Sequence, residues 1–133
     1  AHRLQAPETD PMHVLTWHDF DRAVASIAER LHGRRFRGVH GLPRGGLVLA
    51  VSLSHRLELP LLPHPQPGCL VVDDIYETGR TLAPHRQLVW ISKVEPIWWQ
   101  AVEVRTDPAW IVFPWEDSAR AAEEERRYRE SRR

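Results

Sequence analysis

The run Cys69-Leu70-Val71-Val72, closing on the adjacent carboxylates of Asp73 and Asp74, limits the fold of this chain more tightly than any other segment. A continuous apolar run of this length suits a strand whose two faces are both covered in a parallel sheet. Two neighbouring acids cannot follow it into an apolar interior unless water, a cation or hydroxyl groups meet them. The pair is therefore expected just past the end of the strand. Ligands bind there in open parallel sheets, beyond the carboxyl ends of the strands.

The remaining sequence supplies the other parts of such a sheet. Thr16 and Asp19 have capping-box spacing, and Trp17, Phe20, Val24, Ile27 and Leu31 then recur at helical intervals until Gly33. This predicts a helix starting at Thr16, with Trp17 and Phe20 in the core. Phe36–His40 reads as a short strand running into Gly41-Leu42-Pro43-Arg44-Gly45-Gly46, and Leu47–Leu57 reads as a largely apolar helix. Strand, glycine-rich turn and helix can face backbone N–H groups toward an anion, although plain turn chemistry yields the same pattern. Leu59–Leu62 is a candidate second short strand. Leu88–Ile91, ending at Ser92-Lys93, and Trp110–Phe113, closed by Pro114-Trp115-Glu116, are further apolar runs. Strands alternating with helical stretches predict an α/β fold with a mostly parallel sheet flanked by helices.

Residues 1–15 carry two prolines and no period, and read as an arm; residues 16–115 read as the core of one domain. Residues 116–133 change character. Glu123–Arg127 and Glu125–Arg129 stand four apart in the stabilising order, which predicts a solvated charged helix or tail. The local excess of Arg at the very end leaves contact with a polyanion as a secondary reading.

Eighteen basic residues balance eighteen acidic ones, so no overall field holds nucleic acid or an anionic membrane, and neither is expected as a partner. The longest apolar runs are far shorter than a membrane span. Ala1–Gln5 carry no apolar signal core, and the single cysteine, Cys69, allows no internal disulfide. A cytoplasmic location is the resulting expectation. Zinc-type spacing is lacking among the eight histidines. The six tryptophans of so small a chain suggest burial at an interface between copies, and a homo-oligomer, dimer or tetramer, is expected. Lys93 is the one lysine among the eighteen basic residues, and Arg cannot replace Lys where a compact point donor is needed.

The chemistry concentrates after the apolar strand. Thr78, Gly79, Arg80 and Thr81 offer two hydroxyls, backbone N–H groups and a guanidinium within four residues, a set suited to a phosphate monoester at a helix start. One loop could then hold a sugar by its diol through Asp73 and Asp74 and by its phosphate through the turn. An acidic turn followed by an ordinary helix cap would leave the same residues.

The whole string Val71-Val72-Asp73-Asp74-Ile75-Tyr76-Glu77-Thr78-Gly79-Arg80-Thr81 resembles the phosphoribosyl-pyrophosphate signature of type I phosphoribosyltransferases. Gly41–Gly46 looks like the pyrophosphate loop of that family. Ser92-Lys93, Trp110-Ile111 and Phe113-Pro114-Trp115-Glu116 resemble the purine end of its small 6-oxopurine members, of the bacterial xanthine–guanine and archaeal hypoxanthine types. The similarity covers roughly residues 34–117.

The resemblance implies a type I phosphoribosyltransferase fold with a reduced hood. It also implies transfer of a 5-phosphoribosyl group from phosphoribosyl pyrophosphate to hypoxanthine, guanine or xanthine, in purine salvage, with Mg²⁺ as cofactor. By the same resemblance Asp73 and Asp74 receive the ribose hydroxyls and the metal, with Asp74 nearer the ion. Thr78, Gly79, Arg80 and Thr81 cradle the 5-phosphate. Arg44, Gly45 and Gly46 present donors to pyrophosphate in a loop that often holds a non-proline cis peptide. Glu77 and Asp74 are the implied catalytic residues, Glu77 acting on N7 of the base. Lys93 donates to the 6-oxo group, Trp110 stacks on the purine and the Ile111 carbonyl meets its polar edge, although Trp110 alone would read as sheet core. Glu77 stands where the family usually has Asp. The Arg56–Gly68 and Leu82–Gln87 segments are shorter than the family's. The missing loop and Glu77 motivate a rival, a nucleotide-binding regulatory protein without catalysis; a transferase using the same sugar donor with another base is a third reading.

Overall fold

The computed structural model of the chain describes residues 11–77 and 86–131. The described residues fall into two compact units, one spanning residues 23–106 and the other combining residues 11–22 with residues 107–131.

The larger unit is built on a four-stranded parallel sheet. Its strands are β2 (Val39–Gly41), β3 (Leu70–Tyr76), β4 (Arg86–Ser92) and β5 (Gln100–Val104), which lie side by side in that order. Every residue of β3 is buried, as the apolar run predicts for a strand flanked on both sides. Helix α2 (Gly45–Leu57) follows β2 and packs on β2 and β3 through Leu49, Ala50 and Leu53, all fully buried. At its far end Glu58 takes the left-handed conformation and its N–H closes on the carbonyls of Ser54 and His55. The helix α1 (Trp17–Arg30) starts in the smaller unit and ends in the larger one, where Val24 and Ile27 are buried.

In the smaller unit β1 (Met12–Val14) pairs in parallel with β6 (Trp110–Val112), matching Met12 with Trp110 and Val14 with Val112. The start of α1 has the expected reciprocal cap: Thr16 N–H donates to Asp19 Oδ2 at 2.8 Å, and Asp19 N–H donates to Thr16 Oγ1 at 3.1 Å. Hydrogen bonding of the Asp19 carboxylate to the Thr16 backbone N–H and then to its side chain holds it below its ordinary range. Phe113 stacks on Trp115 at 5.1 Å, and Phe20 meets Trp115 edge-on at 5.9 Å. The final helix α3 (Ser118–Ser131) is the charged helix that the sequence predicts. Arg126 and Arg127 both pair with Glu123 on its exposed side, whereas Glu125 is buried. The predicted partner of Glu125, the Arg129 side chain, lies outside the described residues.

Several expectations need correction. Phe20 is buried as expected, but Trp17 is 52% exposed. The second short strand reduces to a single bridge between Val39 and Leu61. Pro60 and Pro63 remove donors on either side of it, and a ladder cannot continue. Strand β1 lies in the segment read as an arm, and β5, whose apolar residues are interrupted by Gln100 and Glu103, was not expected. The largest difference concerns β3. It does not stop before the acids but runs through Asp73 and Asp74 to Tyr76, because the ladder to β4 continues with Asp73 opposite Val89 and Ile75 opposite Ile91.

Candidate active site

The acids therefore sit inside the sheet rather than beyond it. Asp73 is fully buried and Asp74 is 7% exposed. Asp74 N–H donates to Asp73 Oδ1 at 2.8 Å. Burial first, and then the hydrogen bond and charge of Asp74, push the Asp73 carboxyl up to about 9. Asp74 Oδ1 is buried and meets no hydrogen-bond donor among the described residues. A carboxylate oxygen left this way costs the fold stability and is available to a ligand.

The first turn of α2 is seated directly on this pair. A Cβ on Gly45 would collide with the Asp74 carboxylate, and one on Gly46 would come within 2.7 Å of the Val72 carbonyl oxygen and 3.1 Å of Asp73 Cα. Only glycine permits so close an approach. The loop reaches this position through a cis peptide between Pro43 and Arg44, and Leu42 N–H donates to the Val72 carbonyl at 2.9 Å. Arg44 occupies the N-cap without a side-chain cap bond, and the first turn carries no acid. The helix thus begins with unfilled N–H groups and the positive end of its dipole, beside two carboxyls.

The ends of β3 and β4 complete the arrangement. Tyr76 is paired with Ser92, so Glu77 and Lys93 leave neighbouring strands at the same level. Lys93 N–H donates to the Tyr76 carbonyl at 2.9 Å. Behind it, Ser92 Oγ donates to the Val94 carbonyl at 2.5 Å and accepts from Trp99 Nε1 at 3.1 Å, and Tyr76 stacks on Trp99 at 3.7 Å. Nothing in the sequence pattern singles out Ser92 and Trp99 as the support of this corner. Their link spans seven residues and depends on β5 lying next to β4.

The structure thus brings together Asp73, Asp74, Gly45 and Gly46, with Glu77 and Lys93 at the adjoining ends of β3 and β4 and the exposed Arg44 heading the helix. Thr78, Gly79, Arg80 and Thr81 lie outside the described residues. Trp110 and Ile111 are buried in β6 of the smaller unit. Among the described residues no group of three or more His, Cys, Asp or Glu side chains gathers as a metal cage. Two carboxylates and oxygen-only chemistry nevertheless fit Mg²⁺, which is usually held by one or two carboxylates together with substrate oxygens and water.

Comparison with solved structures gives the arrangement its family. A purine phosphoribosyltransferase from Pyrococcus horikoshii Ot3 is 30% identical in sequence and superposes with a TM-score of 0.62, over 78% of this chain and 93% of that one. The chain belongs to the type I phosphoribosyltransferases. This family consists of glycosyltransferases, and the chain stands close to its 6-oxopurine members. A xanthine-guanine phosphoribosyltransferase of Chromohalobacter salexigens is 26% identical, over 77% of this chain and 82% of that protein. The Helicobacter pylori xanthine-guanine-hypoxanthine phosphoribosyltransferase, 17% identical, shares the fold with a TM-score of 0.67 over 85% of this chain and 99% of that one. No family model matches the chain. No helix among the described residues is long and apolar enough to cross a membrane.

Proposed function

We propose that this protein transfers the 5-phosphoribosyl group of phosphoribosyl pyrophosphate to a 6-oxopurine, releasing pyrophosphate, as a step of purine salvage. The observation that carries this reading is the buried Asp73–Asp74 pair packed against the uncapped, glycine-only start of α2. One half suits hydroxyls and a cation, and the other suits an anion. The donor molecule carries both within one sugar. The purine phosphoribosyltransferase name of its relatives supports the same choice.

In this reading Asp73 and Asp74 hold the ribose diol, and Asp74, with Asp73 behind it, holds Mg²⁺. When bound, the ion supplies positive charge to the diphosphate as it departs. The N–H groups of Gly45 and Gly46 stabilise the same developing charge where it forms, and loss of one such donor costs ~3 kcal/mol of barrier in comparable sites. Thr78–Thr81 hold the 5-phosphate. Glu77 handles the proton at N7 of the base as its other ring nitrogen bonds to the anomeric carbon. Lys93 is donor-only, so it pairs with an oxygen at position 6 and leaves an amino group there without an acceptor.

The test is a panel of bases. The protein is incubated with phosphoribosyl pyrophosphate and Mg²⁺, and pyrophosphate release is followed with hypoxanthine, guanine, xanthine, adenine and uracil. Release confined to the 6-oxopurines is the expected result. Tight nucleotide binding with no release for any base would assign the pocket to a regulator, a role to which Glu77 in place of Asp lends weight. Release with adenine or uracil alone would remove Lys93 from base selection.

A further inference from the structure

At the opposite end of the same sheet lies a cavity of about 170 Å³. It opens beside Leu70 and Leu88, near the amino ends of β3 and β4. Leu70 precedes Asp74 by four residues, which separates this cavity from the acids by about 13 Å of strand. Gln87 lines it and is 3% exposed, yet among the described residues neither its side-chain nitrogen nor its oxygen has a hydrogen-bond partner. A buried primary amide with both ends unsatisfied costs the folded state its full desolvation and calls for an explanation.

The remaining lining gives one. Phe36 and Trp98 contribute aromatic surface, and Arg34 stands at the exposed edge with its guanidinium 5.7 Å from the centre of the Phe36 ring. No carboxylate among the described residues pairs with Arg34. We propose that this cavity is a second ligand site, one that takes a single-ring planar lactam or aromatic amide bearing an anionic group. The Gln87 amide presents a donor and an acceptor side by side, the complement of an N–H and C=O on one ring edge. The two aromatic side chains cover the ring faces. Arg34 receives the anion in the fork geometry that suits carboxylate or phosphate. Size sets the class, since an apolar cavity of ~150 Å³ accommodates benzene. One six-membered ring with small substituents fills this one. The site is independent of the proposed transferase reaction.

The probe is 6-oxo-1,6-dihydropyridine-3-carboxylate, with benzoate as the analogue lacking the lactam and 2-pyridone as the analogue lacking the anion. Binding to the full chain is followed by saturation-transfer NMR and by tryptophan fluorescence. The probe is expected to bind, and each analogue to bind about tenfold or more weakly. Asp74→Asn should leave this binding unchanged, which separates it from the phosphoribosyl site. Gln87→Leu should weaken the probe about tenfold while melting at or above the wild-type temperature, because an unpartnered buried amide is replaced by an apolar side chain of similar shape. Arg34→Ala, at the exposed edge and tolerant of change, should abolish the advantage of the probe over 2-pyridone. Failure of the wild-type chain to bind the probe at millimolar concentration would overturn the assignment. So would an unchanged affinity in both Gln87→Leu and Arg34→Ala. A lowered melting temperature in Gln87→Leu without any probe binding to wild type would make Gln87 a structural amide bridged by water.

Discussion

Replacing Gly46 by Ala tests the seating of α2 on the acid pair. The added Cβ would stand 2.7 Å from the Val72 carbonyl oxygen, 3.1 Å from Asp73 Cα and 3.3 Å from Asp73 Oδ1. The first two belong to the backbone of β3, which is held between β2 and β4 and cannot yield alone. The helix must lift instead, along with Leu49, Ala50 and Leu53. Overpacking of a tight interior costs ~1–3 kcal/mol. The helical preference of Ala over Gly returns at most ~1 kcal/mol. A net loss of ~1–2 kcal/mol lowers the melting temperature of a domain of this size by roughly 4–10 °C. Gly45→Ala differs in kind, because its Cβ would press on the buried Asp74 side chain, on its carboxylate and within 3.1 Å of its Cβ, and not on the β3 backbone. That variant should also lose stability and, by displacing the Asp74 carboxylate, lose more donor binding. Leu47→Ala, in the same turn but 43% exposed, is the control and should stay within ~0.5 kcal/mol of wild type. Thermal unfolding of the three variants, with titration of phosphoribosyl pyrophosphate, separates the effects. If Gly46→Ala melts no lower than Leu47→Ala, the helix is not seated on the strand and the reasoning about the site fails with it.

Asp73 gives a pH signature. Its folded-state carboxyl is raised to about 9, first by burial and then by Asp74, so the folded chain holds a proton that the unfolded chain releases near its ordinary value of 3.8. Stability from this group is therefore full below pH ~4 and is lost as pH rises toward ~9, at up to ~1.4 kcal/mol per pH unit. Urea unfolding at pH 5 and pH 8 in a chelating buffer should show that decline in wild type and a much flatter response in Asp73→Asn; parallel declines would remove the raised carboxyl from the account. Lys93→Ala should reduce kcat/KM for 6-oxopurines by ~10² or more, with little change for adenine, in the base panel. An unchanged preference would show that Lys93 does not read position 6.

The sequence showed the central strand because Cys69–Val72 needed cover on both faces, and it showed α1 through its cap and period. It misjudged where β3 ends. A pair of acids normally marks a strand end, since burial penalises charge. Here the backbone ladder to β4 continues through them, and the cost falls on the side chains: the Asp73 carboxyl is raised, and Asp74 Oδ1 lacks a donor among the described residues. The short β5 was hidden because Gln100 and Glu103 break its apolar pattern and half-exposed edge strands need no continuous run. The support of Lys93 by Ser92 and Trp99 was equally invisible. It joins residues seven apart through a strand pairing that no local periodicity encodes. Gly45 and Gly46 could be read as an anion-facing turn, but their contact with Asp74 and Asp73 belongs to tertiary structure alone.

The two halves of the site carry opposite and separately unfavourable features. Buried neighbouring acids resist ionisation, while a helix start without a cap leaves donors unfilled. A cation alone relieves the acids and an anion alone fills the donors. A ligand carrying both does so with one loss of translational freedom instead of two. Mg²⁺ with phosphoribosyl pyrophosphate should therefore raise the melting temperature by more than the sum of the shifts from Mg²⁺ alone and pyrophosphate alone. At ~100-fold excess over Kd the stabilisation is ~2.7 kcal/mol, well within reach of thermal unfolding. In Asp74→Asn the excess over the sum should vanish while the pyrophosphate shift persists, because the start of α2 is untouched. If the separate shifts simply add in the wild-type chain, the acids and the helix start are neighbours without being one site.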